Sequence, residues 1–456
     1  GCKRMKSRKK KKEFYTEYTA RNALKNGSFI VRLSAIVFGL GCLVHKQIAK
    51  GILYLTSEIL LIVYMVQTGF YNLGDVEQQK VWNEAKSLYE YVDGDRSLII
   101  LLYGIVTLSL ILVFFLIAKS SLKQAYRLEC QSKKGEQILT LKQELKELLN
   151  GNLHITLLTF PVLGVLMFTI LPLVFMISMA FTNYSVEGNK LVLFDWVGLE
   201  NFRKIFDFGD SLGQTFWSVF GWTMVWAVVA TFSNYILGML LALFINWKEI
   251  RAKKMWRFCF ALTVAIPHFV TLLIIKSMLQ PEGAMNILLR NLGLIGATQS
   301  LPFFTDATWA RVVVILINIW VGVPYTLLQV TGILQNIPTE LYEAARVDGA
   351  GPIVTFMKIT LPYVLFVTTP YLITTFTGNV NNFNVIFLTT EGLPRSVGST
   401  AGKTDLLITW LYKLTIENQY FDVGAVVGIM TFVTLTIVSL VTFTFSGSNR
   451  NEEAFR

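Results

Sequence analysis

Charged residues are scarce in this sequence. Only 16% of its 456 residues are Asp, Glu, Lys or Arg, whereas 53% are hydrophobic. Soluble domains usually carry about a quarter of charged residues, so this balance excludes an ordinary soluble domain. It predicts a polytopic membrane protein.

Cysteine and histidine are also rare, with four and three residues respectively. The cysteines lie far apart and form neither a C-x-x-C pair nor the framework of a secreted protein, so we interpret them as reduced and unreactive. The histidines lie near no cluster of carboxylates or thiols. The sequence therefore predicts no metal site and argues against a metalloenzyme.

Eight apolar runs are long enough to cross a bilayer. They lie at about 51–71, 97–118, 156–182, 216–246, 256–280, 311–334, 364–389 and 422–445. Basic residues concentrate at the N-terminal end and in short loops between runs, which explains the net charge of +11 by positive-inside bias and requires no nucleic acid. The prediction is an all-α protein with about eight transmembrane helices and both termini in the cytoplasm.

Charge and hydropathy divide the chain into six segments. They are a basic cytoplasmic tail (1–27), an in-plane or re-entrant helix (28–50), two accessory transmembrane helices (51–118), a cytoplasmic amphipathic linker (119–155), a six-helix core containing a loop over 335–363 (156–445), and a cytoplasmic tail (446–456). Residues 3–12 are almost wholly Lys and Arg, and they suit attraction to anionic lipid and a disordered, solvated tail equally. In the linker, one helical face carries Ile138, Leu141, Leu145 and Leu148.

Polar residues inside apolar runs need partners or a cavity, which makes them candidates for function. Glu58 and His268 are ionisable examples; Glu58 could instead pair with a neighbouring subunit, and His268 follows Pro267 at an expected kink. A larger uncharged group comprises Asn318, Trp320, Gly322, Tyr325, Thr374, Thr375, Thr377, Asn379, Asn381 and Asn382. These side chains suit a carbohydrate path, and they equally suit hydrogen bonding between helices.

The segment Gly398 to Thr404, G-S-T-A-G-K-T, is close to a phosphate-binding loop. That motif requires four residues between its glycines, and only three separate Gly398 from Gly402. It also follows no predicted buried strand. We therefore expect this chain to bind no nucleotide.

The loop over 335–363 carries the most specific motif. Glu343, Ala344 and Ala345 are followed by Gly349, and then by Ile359, Leu361 and Pro362, with the spacing E-A-A-x3-G-x9-I-x-L-P. Helix-start and helix-stop residues predict two helices joined by a turn at Gly349, the second opening at Pro352. This spacing resembles the EAA loop in membrane-spanning subunits of binding-protein-dependent ABC importers.

The resemblance implies a type I ABC importer permease fold in which this loop forms a cytoplasmic coupling helix. Its glutamate meets a basic residue of a separate ATPase, its alanines allow close approach, and its glycine makes the turn. The coupling residues carried over are Glu343, Ala344, Ala345, Asp348, Gly349, Ile359, Leu361 and Pro362. The implied partners are a second permease subunit, two ATPase copies that hold ATP and Mg, and an extracytoplasmic sugar-binding protein.

Further segments resemble the larger permease subunit of maltose and maltodextrin importers. They are F-T-N-Y from Phe181, N-I-W-V-G-V-P-Y from Asn318, N-N-F-N-V-I-F-L from Asn381 and A-G-K-T-D-L-L-I-T-W from Ala401. The resemblance implies a sugar site at Asn318, Gly322, Tyr325, Thr375, Asn379 and Asn382. Gly378 stands where the family has a stacking aromatic, which places the identity of the sugar in question.

The resulting functional prediction is a non-enzymatic transporter subunit for oligosaccharides, with malto-oligosaccharides favoured over galacto- or raffinose-type sugars. An ion-driven secondary transporter is a weaker alternative, because the later spans carry no obvious midplane charges. A membrane-embedded enzyme is another weaker alternative, because the sequence has no paired carboxylates outside the loop over 335–363. The short segment over 183–215 replaces a large insertion of enterobacterial relatives, which indicates the plasma membrane of a Gram-positive bacterium.

Overall fold

The computed structural model describes residues 18–74, 80–91, 97–136, 138, 143, 146, 150–151, 153–187, 190–191, 195–247 and 249–445. The basic tail up to residue 17, the C-terminal tail over 446–456 and three linker positions, Leu141, Leu145 and Leu148, lie outside the described residues. The chain divides into two compact units, Gly1–Ser178 and Met179–Arg456. The predicted core begins at residue 156, so its first helix falls mostly in the first unit.

In the described part of the first unit, short helices precede three long ones. They are α1 (Ala20–Asn26), α2 (Phe29–Leu33), α3 (Leu40–Val44), α4 (Ile48–Tyr64, continued by a π-helical turn Met65–Gly69 and Phe70–Asn72), α5 (Ser97–Lys133) and α6 (Leu153–Val165, a π-helical turn Leu166–Ile170, and Leu171–Met179). A hairpin pairs β1 (Lys80–Asn83) with β2 (Leu88–Tyr91). Helix α5 continues well past residue 118, so the predicted linker begins inside a helix.

The segment predicted as an in-plane or re-entrant helix is broken into α2 and α3. Gly39 has φ +81°, a left-handed conformation that glycine adopts readily. The buried Glu58 carboxylate on α4 accepts a hydrogen bond from the Phe38 backbone N–H at 2.7 Å, and Ser121 on α5 accepts one from Gly39 at 2.8 Å. The partner of Glu58 is therefore within this chain, and its carboxylate stabilises the turn.

The described part of the second unit contains the remaining helices. They are α7 (Glu200–Phe206), α8 (Ser211–Asn246), α9 (Lys253–Ala265), α10 (His268–Met278), α11 (Ala284–Asn291), α12 (Ala307–Gln335), α13 (Thr339–Val347), α14 (Pro352–Thr355, a π-helical turn Phe356–Thr360, and Leu361–Val380), α15 (Phe383–Thr389), α16 (Leu407–Tyr412, then a π-helical turn Lys413–Glu417) and α17 (Phe421–Phe445). A two-residue hairpin pairs β3 (Val186–Glu187) with β4 (Lys190–Leu191).

Helices α8, α12 and α14 form the centre of this unit. Apolar side chains from α8 and α12, among them Trp226, Ala230, Val314 and Leu327, are fully buried there. Between helices that cross a membrane, close packing and interhelical hydrogen bonds stabilise such contacts, because lipid tails are as apolar as the side chains. The packing fixes the three helices against one another, and the polar residues they carry are fixed with them.

Seven helices in the described part of the chain are long and apolar enough to cross a membrane. Helices α9 and α10 together make an eighth if they form one broken span, since they are bent by 86°. The bend follows Pro267, whose ring and missing N–H interrupt a helix. The expected number of about eight spans is confirmed, although the span predicted over 256–280 is sharply bent.

Candidate functional site

The loop over 335–363, which we call the coupling loop, forms the predicted pair of helices. Helix α13 ends at Val347, and Gly349 follows with φ +73°. Its N–H donates to the Arg346 carbonyl at 3.0 Å, and the Ala350 N–H donates to Ala345 at 2.8 Å. These bonds satisfy the last carbonyls of α13, as a glycine-containing helix end normally does.

The second helix of the coupling loop starts at the predicted residue. Pro352 occupies the first turn of α14, where its missing N–H costs no hydrogen bond. Tyr342 on α13 and Thr360 on α14 share a hydrogen bond of 3.0 Å between their hydroxyl oxygens. Ile359 and Leu361 are half-buried beside it, whereas Pro362 is exposed. The base of the loop is therefore fixed to the helical core.

The turn of the coupling loop is open to its surroundings. Glu343, Ala344, Asp348 and Gly349 are exposed, and Ala345 is buried against the chain. Two apolar side chains that flank the turn are also exposed, Val347 by 88% and Ile353 by 78%. Exposed apolar groups rimmed by charge mark surfaces that a partner covers. The sequence analysis did not single out Val347 and Ile353, although apolar residues close to a turn glycine are visible in the sequence.

The predicted sugar-site residues, which we call the path residues, lie mainly on α12 and α14. Asn318, Gly322 and Tyr325 are four and then three residues apart on α12, a spacing that places them on one helical face. The other path residues are Thr375, Gly378 and Asn379 near the end of α14, and Asn382 at the start of α15. Helix α14 ends at Val380 and α15 starts at Phe383, so an interruption in the helix occurs among them.

The structure brings two of the path asparagines together. The Asn382 Nδ2 donates to the Asn318 Oδ1 at 3.3 Å, and the Asn382 Oδ1 accepts from the Val385 N–H at 3.3 Å. Asn382 therefore links α12 to the start of α15. The Nδ2 of Asn318 is buried and has no hydrogen-bond partner in the described part of the chain.

Asn379 instead turns towards α8. Its Nδ2 donates to the Thr231 Oγ1 at 2.9 Å, and its backbone carbonyl accepts from the Trp226 Nε1 at 3.0 Å. Its side chain is buried. Sequence reasoning did not single out Thr231 or Trp226, because the residues they meet are about 150 positions away along the chain.

Other path residues are more open. Tyr325 is 47% exposed, Thr375 is half-buried, and a Cβ placed on Gly378 would meet nothing within 4 Å. Gly322 is the opposite case, since a Cβ there would lie 2.2 Å from the Asn234 Nδ2 of α8. The path residues therefore form an open part and a buried part. Position 322 has no room for a side chain, whereas position 378 does.

A buried ion pair holds the segment between α15 and α16. The Lys413 Nζ lies 2.7 Å from the Asp405 Oδ2 and 2.8 Å from the Glu391 carbonyl oxygen, and both charged side chains are almost fully buried. The Asp405 carboxylate also accepts from the Gly402 N–H and the Thr409 hydroxyl. Sequence reasoning missed this pair.

The phosphate-loop-like residues Gly398 to Thr404 belong to the same segment. They follow no strand in the described part of the chain, and the next helix, α16, starts only at Leu407. The Lys403 carbonyl accepts a hydrogen bond from the Arg311 Nε at 2.9 Å, which ties the segment to α12. Neither the strand nor the helix that a phosphate-binding loop requires is present among these residues.

Residues 234–450 match the family described as "Binding-protein-dependent transport system inner membrane component". The galactooligosaccharides transport system permease protein GanP of Bacillus subtilis is 34% identical over 93% of this chain and 99% of its own length. The maltodextrin transport system permease protein MdxF of the same species is 35% identical over 92% and 96%. A crystal structure of a bacterial ABC transporter that imports alginate has a chain similar in fold, with TM-score 0.55 and 22% identity, covering 68% of this chain and 100% of that one.

Proposed function

The chain belongs to the family of membrane-spanning permease subunits of binding-protein-dependent ABC importers for oligosaccharides, and from this premise we propose that its substrates are malto-oligosaccharides. It is a multi-pass plasma-membrane protein and a transporter subunit, not an enzyme. The observation that carries the proposal is the uncharged polar face formed by the path residues. Amides and a tyrosine can pair with sugar hydroxyls and stack on a pyranose ring.

The segments over 318–325 and 381–388 support malto-oligosaccharides, because they resemble the larger subunit of maltose importers. A galacto-oligosaccharide is the second candidate, because GanP matches this chain as well as the maltodextrin permease does. Gly378 bears on the choice, since it removes an aromatic face that an α-glucan would use. An ion-driven mechanism gains no support from the relatives described above.

In the proposed assembly, the coupling loop docks on an ATPase subunit. The exposed Glu343 faces a basic group of that subunit, and Val347 and Ile353 are covered by it. Burying two such side chains would add about 3–6 kcal/mol of apolar stabilisation before the costs of association. ATP and Mg are held by the ATPase chain, and this chain holds neither.

Coupling requires more than contact. ATP and the sugar-loaded binding protein must each bind one permease conformation better than the other, because only differential affinity shifts a conformational equilibrium. The coupling loop is suited to transmit this shift, since its base is fixed to the core while its turn is free to meet the ATPase. Two ATPase copies, a second permease subunit and an extracytoplasmic binding protein complete the proposed transporter, with both termini of this chain in the cytoplasm of a Gram-positive cell.

The test is uptake of labelled maltotriose, a galacto-oligosaccharide and raffinose by cells that carry the complete transporter, with wild-type chain or Asn379→Ala. We expect maltotriose uptake by the wild type and a rise of at least tenfold in KM for the variant at equal assembled complex. Loss of one hydrogen bond to a sugar hydroxyl accounts for a change of this size.

The control is Asn246→Ala, because Asn246 lies on α8 near a basic loop and its side chain bonds to the Ala242 carbonyl, to Thr331 and to Arg257, none of which is a path residue. Its KM should stay at the wild-type value. Preferential uptake of the galacto-oligosaccharide would replace the first candidate by the second. An unchanged KM in Asn379→Ala would show that the path residues do not bind sugar and that specificity belongs to the binding protein.

A further inference from the structure

Behind the path residues, α8 carries a second row of polar side chains. Thr231 and Asn234 are three residues apart, and both are more than nine-tenths buried. They therefore lie on neighbouring turns of one helical face. This face meets α12 at Gly322 and α14 at Asn379. The row is uncharged, like the path residues in front of it.

Thr231 controls the orientation of the Asn379 amide. The Asn379 Nδ2 donates to the Thr231 hydroxyl, and because the side chain is also buried, this bond restricts its rotation; Trp226 holds the Asn379 backbone carbonyl. The Asn379 Oδ1 makes no hydrogen bond in the described part of the chain. The amide oxygen therefore remains available as an acceptor while one of the two amide N–H groups is bonded to Thr231. A sugar hydroxyl is the complementary group, since it can donate to that oxygen.

The Asn234 side chain lies against Gly322 of α12. Its Nδ2 occupies the space that any side chain at position 322 would fill, and its Oδ1 is buried without a hydrogen-bond partner in the part of the chain that the structure describes. A buried unpaired amide oxygen is unfavourable in a region used only for packing, where an apolar residue would serve better. One turn away on α12, the buried Asn318 Nδ2 is also unpaired.

We propose that Thr231 is a positioning residue of the sugar path that orients the Asn379 amide for a sugar hydroxyl, next to Asn234, which packs against Gly322. This inference rests on the proposed function. It adds α8 to the helices that carry the path residues. Thr231 does not contact the sugar; it acts through Asn379.

A packing role for Thr231 makes a different prediction from a positioning role. If the hydroxyl only stabilises the helix contact, its removal lowers the amount of assembled transporter and leaves KM unchanged. If it orients Asn379, its removal raises KM in the complex that does assemble. A double-mutant cycle separates the two, because a residue that acts through Asn379 has no further effect once Asn379 is absent.

The experiment measures KM and maximal uptake per assembled complex for the sugar that the wild type transports. Thr231→Val should raise KM about tenfold, and Thr231→Ser, which keeps the hydroxyl, should restore it to within about twofold of wild type. Thr231→Ala is measured in the same series, so that the test does not depend on assembly of the valine variant. In an Asn379→Ala background, Thr231→Val should leave KM unchanged.

Ser233→Ala is the matched control, because Ser233 lies on α8 between Thr231 and Asn234 and, among the residues that the structure describes, its hydroxyl bonds only to the Ala230 carbonyl of its own helix, at 3.4 Å. It should transport like the wild type. Wild-type KM in both Thr231→Val and Thr231→Ala, with Asn379→Ala still defective, would overturn this inference and leave the proposed function standing. Wild-type KM in all three variants would overturn both.

Discussion

The coupling loop and the path residues present their polar groups in opposite ways. Around the turn of the coupling loop, Glu343 and Asp348 are exposed beside exposed apolar side chains, and the hydrogen bonds at the turn are those of the helix end. Among the path residues, Asn318 and Asn379 are buried and bonded to other parts of the chain. The carboxylates of the coupling loop are therefore exposed, whereas the amides among the path residues are hydrogen-bonded within the chain.

This difference separates evidence for binding from evidence for folding. Exposed apolar residues such as Val347 and Ile353 add little to the stability of the isolated chain, and together with the charges around them they suit a surface that a partner covers. A buried amide such as Asn379 stabilises the helix contact whether or not it also binds sugar. The coupling loop can therefore be disrupted without unfolding the chain, whereas substitutions of path residues need a readout that is independent of assembly.

The largest effect is expected from Glu343→Lys in the coupling loop. Reversing this charge places it against a basic group of the ATPase, and like charges in contact cost several kcal/mol, enough to lower uptake more than about 100-fold. The amount of inserted chain should stay at the wild-type level, because Glu343 is exposed. Uptake and membrane content are measured together, with Glu340→Lys on the same helix as the control. Near-wild-type uptake by Glu343→Lys would break the contrast between the two regions.

Lys413→Met should act on folding instead of coupling. It leaves the buried Asp405 carboxylate without its cation, and breaking such a pair typically costs about 3–5 kcal/mol. A large fall in the melting temperature of the purified transporter is expected. The double variant Lys413→Met with Asp405→Asn removes both charges and should recover most of the loss. A melting temperature that stays at the wild-type value in Lys413→Met would show that the pair is not needed for stability.

Gly378→Phe should have the smallest effect, and it is expected to improve transport. The position is exposed and has open space around it, so an aromatic ring fits and supplies a stacking face for a pyranose ring. We expect KM for maltotriose to fall about threefold, a change of about 0.6 kcal/mol. Gly378→Ala controls for the loss of helix-interior glycine. A KM unchanged from that of Gly378→Ala would indicate that sugar does not pass this face.

Local signals predicted the coupling loop well. Gly349 and Pro352 determine where α13 ends and α14 begins through conformations that each residue type favours on its own, and the structure has both boundaries at the expected positions. The bend after Pro267 follows from the same kind of signal. The number of long apolar helices was likewise predictable, since each apolar run is continuous in the sequence.

Contacts between distant segments were not predictable. Thr231 and Asn379 are 148 positions apart, and nothing in either local sequence indicates the other. The Asp405–Lys413 pair is close in sequence, yet it depends on an irregular turn that brings Glu391 and Gly402 to the same place. The break between α14 and α15 lies inside an apolar run that hydropathy treats as one span.

The central claim is that the coupling loop meets an ATPase subunit, and photo-cross-linking tests it most directly. A benzoylphenylalanine replaces Val347 in the assembled transporter, and another replaces Phe432, an exposed residue of α17, as the control. We expect an adduct between position 347 and the ATPase chain, and none between position 432 and that chain. Irradiation that yields no ATPase adduct from position 347, in a transporter that still imports sugar, would contradict this claim.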